Sequence, residues 1–205
     1  MSKLLSNSGL SQPIAESDSP RLPVDLSCYT TGNFDRGASI FKETLWLIIS
    51  FILFRLCPFS FSVLKCAVLR MFGAKVGHNV TLKPQVKITF PWKLTVGDQV
   101  WLGEECWLLN LERITIGSNV CISQRAVLCT GSHNYKQTGF GLIVQPITLG
   151  DGVWIGAGSW VGPGVNLGSH AVLALASVAT KDLAAHGIYR GNPAEFIKQR
   201  VISSG

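Results

Sequence analysis

The chain has 205 residues, 47% hydrophobic and only 15% charged, with 21 glycines and a formal net charge of +6. Average soluble proteins are about 25% charged, so this composition excludes a disordered chain, a long coiled coil rich in Glu, Lys and Ala, and a collagen-like repeat. The modest positive charge suits an anionic small ligand or a membrane surface. No dense Lys/Arg run is present, so no nucleic acid partner is expected.

Residues 1–38 are rich in Ser, Pro, Asp and Gly and lack an apolar period, which predicts a loose or wrapping N-terminal segment. No apolar stretch follows Lys3, so no secretory leader is expected. Cys28, Cys57, Cys66, Cys106, Cys121 and Cys129 form no Cys-x-x-Cys pair. The expectation is a cytoplasmic protein with reduced cysteines and neither a zinc ribbon nor a redox motif.

Residues 39–73 are predicted to form apolar and amphipathic helices. Leu45–Phe54 reads LWLIISFILF. As a helix it spans about 15 Å, half of a roughly 30 Å hydrocarbon core. Val63, Leu64, Ala67, Val68, Met71 and Phe72 recur at helical spacing on one face, with Lys65 and Arg70 off it. Two readings stay open. The helices pack on the main domain or a neighbouring subunit, or they anchor the protein peripherally at the inner face of the plasma membrane.

Residues 74–182 carry a six-residue period: Val76, Leu82, Ile88; Val96, Leu102, Leu108; Ile116, Ile122, Leu128; then Leu149, Ile155, Val161, Leu167, Leu173, Ala179. Gly follows eight of these fifteen positions, and small or β-branched residues recur four places on, as at Val80, Val100 and Ser177. Six residues accommodate one short strand and one sharp bend. Three such units close a coil of about eighteen residues, and stacked coils bury one aliphatic side chain per strand. A Gly is expected at each bend. The period breaks between Ile88 and Val96, between Leu108 and Ile116, and over 129–147, which reads as a polar loop extruded from the coil. Residues 183–205 are predicted to cap the stack, with a turn at Gly191–Ala194 and a short helix over Glu195–Ile202.

Of four histidines, only His133 lies in the extruded loop, within Thr130-Gly131-Ser132-His133-Asn134-Tyr135. An imidazole exchanges its proton near neutral pH and suits removal of a proton from a hydroxyl. The histidines lack the convergent spacing of a three-His metal site, so no metal is expected.

The hexapeptide period together with these strings resembles the hexapeptide-repeat acyltransferases. Phe72–Gly77, Pro91–Asp98, Thr115–Gln124, Thr130–Tyr135 and Gly191–Ala194 are similar to the colanic-acid-biosynthesis type of O-acetyltransferase, from about Tyr29 to about Lys198. The resemblance implies an all-β fold, a left-handed parallel β-helix, and a homotrimer with acetyl-CoA in the cleft between neighbouring coil stacks. It implies that His133, matching a Thr-Gly-x-His segment, is the general base in direct transfer of acetyl from acetyl-CoA to a sugar hydroxyl. The amide of Ala157 would hold the oxyanion. Trp154, Leu175, Thr180, Lys181 and Lys198 match CoA-contacting positions. Asn110, on an inserted bulge, and Asn134, where the subgroup has Asp, fall on the acceptor side. The acceptor stays open among a sugar, a nucleotide sugar and a lipid-linked glycan, with an amino sugar or xenobiotic as an alternative. A non-catalytic membrane-attached β-helix scaffold is the rival outside enzymology.

Overall fold

A computed structural model describes residues 22–57 and 59–203. Residues 1–21 of the expected N-terminal segment lie outside the described residues.

The repeat folds as stacked coils of three short strands, whose strands form three parallel faces. The first face stacks Lys75–Val76, Leu94–Val96, Ile114–Ile116, Ile147–Leu149 and Asn166–Leu167. The second stacks Thr81–Leu82, Trp101–Leu102, Cys121–Ile122, Trp154–Ile155, Val172–Leu173 and Gly187–Arg190. The third stacks Lys87–Ile88, Trp107–Leu109, Val127–Cys129, Trp160–Val161 and Val178–Ala179. Register is direct: Leu82 pairs with Leu102, Leu102 with Ile122, and Ile155 with Leu173. Each six-residue aliphatic therefore sits above its counterpart. From Leu82 to Ala179 all of these residues are buried, most of them completely. The residues four places on, including Val100, Val120, Ser159 and Ser177, fill the corners and are buried too.

Only some of the glycines do the job expected of them. Outside the insertions the left-handed bend falls three residues after the aliphatic: the expected Gly takes it at Gly152, Gly158 and Gly164, but Asn79, Gln85, Gln99, Glu105, Asn119 and Arg125 take it in the earlier coils, with φ of 53° to 60°. The glycine directly after the aliphatic is needed because the next coil approaches it. A Cβ on Gly97 would lie 2.8 Å from the backbone of Gly117, and one on Gly103 would lie 2.7 Å from the amide of Gln124.

Two helices close the first coil: α1, Ile40–Ser50, continued by a π-helical stretch Phe51–Leu56, and α2, Ser62–Met71. Ser39 caps α1 through Lys42 N. The edge strands of the first coil would otherwise expose unpaired backbone groups. The Trp46 indole donates to Ile88 O at 3.1 Å, Gln85 N donates to Phe54 O, Ser62 exchanges hydrogen bonds with Leu82, and Arg70 donates to Val76 O and Gly77 O. The side of α2 that packs on the prism is Lys65, Cys66 and Leu69. Of the predicted apolar stripe, Val63, Leu64, Ala67 and Met71 are exposed, Val68 is half-buried and only Phe72 is buried. The reason is that capping an edge requires the polar groups of this helix, and only one side of it can face the prism.

At the other end, the short C-terminal helix expected over Glu195–Ile202 is instead a strand, Glu195–Gln199, antiparallel to Gly187–Arg190. This strand extends the second face by direct pairing, satisfying its backbone more completely than a helix laid across the edge.

Candidate active site

All three breaks in the period fall at one corner, where the third face passes to the first. The widest, after Cys129, is an antiparallel hairpin of Gly131–His133 and Leu142–Val144 rather than an irregular loop. Thr130, fully buried, anchors its base. Thr130 Oγ1 donates to Leu109 O at 2.9 Å and accepts from Glu112 N at 2.9 Å. At Gly131 a Cβ would come within 2.8 Å of Leu111 Cδ1, so a larger residue there would have to displace the Leu111 side chain.

His133 projects from this hairpin half-buried. Its Nδ1 lies 3.1 Å from Phe140 O. A carbonyl only accepts, so Nδ1 carries the hydrogen and the neutral ring presents the Nε2 lone pair outward. The imidazole stacks on the Phe140 ring, with centroids 4.6 Å apart and planes at 11°, and lies 5.9 Å from the ring of Tyr29. The acceptor, Phe140, adopts a left-handed φ of 49°. Neither Phe140 nor Tyr29 was singled out from sequence. Tyr29 reaches the site only because residues 22–38 strap across the hairpin, with Asp25 N donating to Thr138 O and Leu142 N to Thr30 O.

The remaining predicted site residues fall into two groups. Thr180 and Lys181, both exposed, follow the last strand of the third face, at the same corner as the hairpin. Ala157 and Leu175 lie at the opposite corner of that face, where Ala176 N donates to Ala157 O; Leu175 is exposed. The Ala157 N–H has no acceptor among the described residues. Trp154 stands on the second face, its indole donating to Ser123 Oγ at 3.0 Å and otherwise about half exposed. Lys198 shares its row: Trp154 pairs with Val172, the next strand places Ile188 beside Val172, and Ile188 pairs with Lys198. Three strand spacings put the indole and the ammonium stem about 14 Å apart on one exposed face. Within one protomer, then, the imidazole shares its corner with Thr180 and Lys181, while Ala157 and Leu175 stand a whole prism face away and Trp154 and Lys198 stand on the second face.

Asn110 is a correction. It is completely buried; Oδ1 accepts from Thr89 N and Phe90 N, and Nδ2 donates to Phe90 O. Both ends of the amide are used in closing the neighbouring coil's insertion, leaving nothing for an acceptor. Asn134 is half-buried and accepts from Lys136 N through Oδ1, closing the hairpin tip. Beside the hairpin, on the side that carries His133 and its cross-strand partner Leu142, lies a cavity of about 520 Å³. Asn33, Asp35, Lys93, Glu112 and Arg113 give it a polar lining.

Burial pushes the Cys106 thiol up to about 12 and raises that of Cys121, which suits neither to act as a nucleophile. Among the described residues, no group of three or more His, Cys, Asp or Glu side chains could hold a metal ion.

No protein-family model matches the chain. It is 40% identical over 177 residues to an Escherichia coli protein that bears the provisional name colanic acid biosynthesis acetyltransferase WcaF, covering 86% of this chain and 97% of that one. The chain belongs to the colanic-acid-biosynthesis group of hexapeptide-repeat acetyltransferases. It is an acyltransferase. Galactoside O-acetyltransferase of Escherichia coli is 28% identical over 137 residues, covering 65% of this chain and 67% of that one. In solved structures the same fold recurs in a hexapeptide-repeat acetyltransferase from Vibrio cholerae complexed with acetyl coenzyme A. The TM-score is 0.73 at 22% identity, over 84% of this chain and 95% of that one. A galactoside acetyltransferase in complex with coenzyme A gives a TM-score of 0.69 at 23% identity, over 78% and 80%. These neighbours share the left-handed β-helix, so this acetyltransferase has the handedness that the resemblance implied.

Proposed function

We propose that this protein transfers the acetyl group of acetyl-CoA to a hydroxyl of a sugar or exopolysaccharide precursor, with His133 as general base. The observation that carries the reading is the Nδ1–H of His133 held by Phe140 O, which aims a basic Nε2 away from the hairpin. Nε2 takes the hydroxyl proton as the oxygen attacks the thioester carbonyl. The C–S bond breaks, and the imidazolium returns the proton to the departing thiolate, giving an O-acetyl ester and free CoA. A backbone N–H offers the oxyanion a donor; Ala157 N–H is unengaged and fills this role. The exposed Trp154 and Leu175 give the pantetheine arm apolar surface, and Lys181 and Lys198 meet phosphate charge. The polar cavity flanking the hairpin seats the acceptor, where Glu112, Asp35 and Arg113 suit hydroxyl recognition.

Because the two groups of residues stand at different corners, the reading requires two copies at each site. A homotrimer with three identical head-to-tail clefts satisfies this. The named activities of the relatives support acetyl transfer and a glycan acceptor. The test is transfer of radiolabelled acetyl from acetyl-CoA to a panel of sugars, nucleotide sugars and polyprenyl-linked glycans, joined to subunit mixing. His133→Ala and Lys198→Glu subunits are each expected to be impaired. Each mixed trimer contains one cleft with both groups intact, so it recovers about one third of full activity. Mixtures with no recovered activity would refute the shared cleft, and no labelled sugar with the wild-type chain would refute the acceptor class.

A further inference from the structure

The helical cap has an inner side that closes the first coil and an outer side with no partner in the fold. Ile40, Phe41, Leu47, Ile48, Phe51 and Ile52 of α1 and its π-helical continuation are each more than half exposed. On α2, Val63 is 86% and Met71 82% exposed. An apolar stripe at helical spacing has thus been turned away from the core. Charge is concentrated in the same place. Residues 36–97, which comprise the cap and the first coil, hold nine lysines and arginines against Glu43 alone, and Glu43 is paired with Arg36. That local +8 exceeds the +6 of the whole chain, so the remainder is net negative by two. Arg55 and Lys87 are exposed and line one apolar cavity with Phe51 at the cap's edge. Among the described residues neither forms a salt bridge.

We propose that the outer side of this cap docks in the plane of an anionic lipid bilayer, its apolar side chains entering the acyl boundary while Arg55 and Lys87 meet headgroup phosphates. Charge selects this occupant over a second copy of the chain. Lys65 is buried, so cap against cap would bring two surfaces of +7 together, and the rest of the molecule has only two net negative charges to offer. The cap does not span: among the described residues no helix is long and apolar enough to cross a membrane. It has instead the apolar face and basic rim of an interfacial helix pair. In a ring of parallel prisms the caps share one end, so several bind one surface together.

The experiment is co-sedimentation of the full chain with vesicles of phosphatidylcholine mixed with phosphatidylglycerol, and with phosphatidylcholine alone. Binding to the mixed vesicles is expected, weakening as salt is added. Arg55→Gln with Lys87→Gln should bind about 25-fold more weakly, roughly fivefold for each cation. Val63→Asp with Met71→Asp alters only exposed side chains and should abolish binding while leaving the melting transition in place. Failure of the wild type to sediment, equal binding to both vesicles, or unchanged binding by the Val63/Met71 variant would each overturn the proposal. The readout needs no acetyl transfer, so it stands or falls apart from the catalytic reading.

Discussion

Gly139 and Cys28 touch so closely that a Cβ on the glycine would lie 2.6 Å from the Cys28 carbonyl oxygen. This contact seats the strap of residues 22–38 on the hairpin that carries His133, and it explains how Tyr29 comes to flank the imidazole. Gly139→Ala should lift the strap and leave the coils alone. Acetyl transfer is expected to fall about 10- to 100-fold. The prism's melting temperature should move by no more than about 2 °C. Steady-state rates and thermal circular dichroism on one sample would check both.

His133→Ala removes the only polar side-chain group that the hairpin aims outward through a fixed tautomer. We expect kcat to drop by about 10²- to 10⁴-fold, with little change in the KM for acetyl-CoA, measured by release of free thiol. Because the ring is half-buried at the edge of the fold, far-ultraviolet circular dichroism should be unchanged.

Asn110→Ala should behave as a stability variant. It leaves the amide and the carbonyl of Phe90 without their partner in a buried site, while Thr89 N keeps Leu108 O. A loss of about 2–3 kcal/mol in denaturant unfolding is expected. Acceptor KM should stay as in the wild type, whereas Glu112→Ala at the polar cavity should raise it.

Lys65 is fully buried on α2, with Nζ donating to Phe59 O at 3.1 Å and lying 5.6 Å from the centroid of the Phe54 ring. Burial pushes its pKa down. The unfolded chain holds the proton up to about pH 10.4. Below that pH and above the lowered native value, unfolding takes up a proton, so stability rises with pH across this window. Lys65→Met should remove that slope and stabilise the protein at pH 7 by about 1 kcal/mol or more. Urea unfolding at pH 7 and pH 10 would show it.

The architecture was legible because a β-helix is built from local repetition. Spacing alone implied stacked coils of like residues and marked all three insertions, since each coil reuses the same six-residue rule; the structure set Leu82 over Leu102 and brought the insertions to one corner. Thr130-Gly131-x-His133 stood out only through the resemblance, since the contacts that seat it, to Leu109, Leu111 and Glu112, come from the preceding coil. Asn110 misled for the same reason: an asparagine on an insertion looks the same in sequence whether its amide faces solvent or the backbone of the preceding coil.

Tertiary structure alone decided what lies far along the chain but near in space. It turned the Val63–Met71 stripe outward, because the edge of the first coil needs the polar side of α2. It made Glu195–Gln199 a strand, because an open sheet edge supplied hydrogen bonds that an isolated segment lacks. It also set Tyr29 against His133 across a hundred residues. Aliphatic periodicity records which side chains avoid water; which unpaired backbone group or neighbouring surface a segment finally meets depends on contacts that no local pattern encodes.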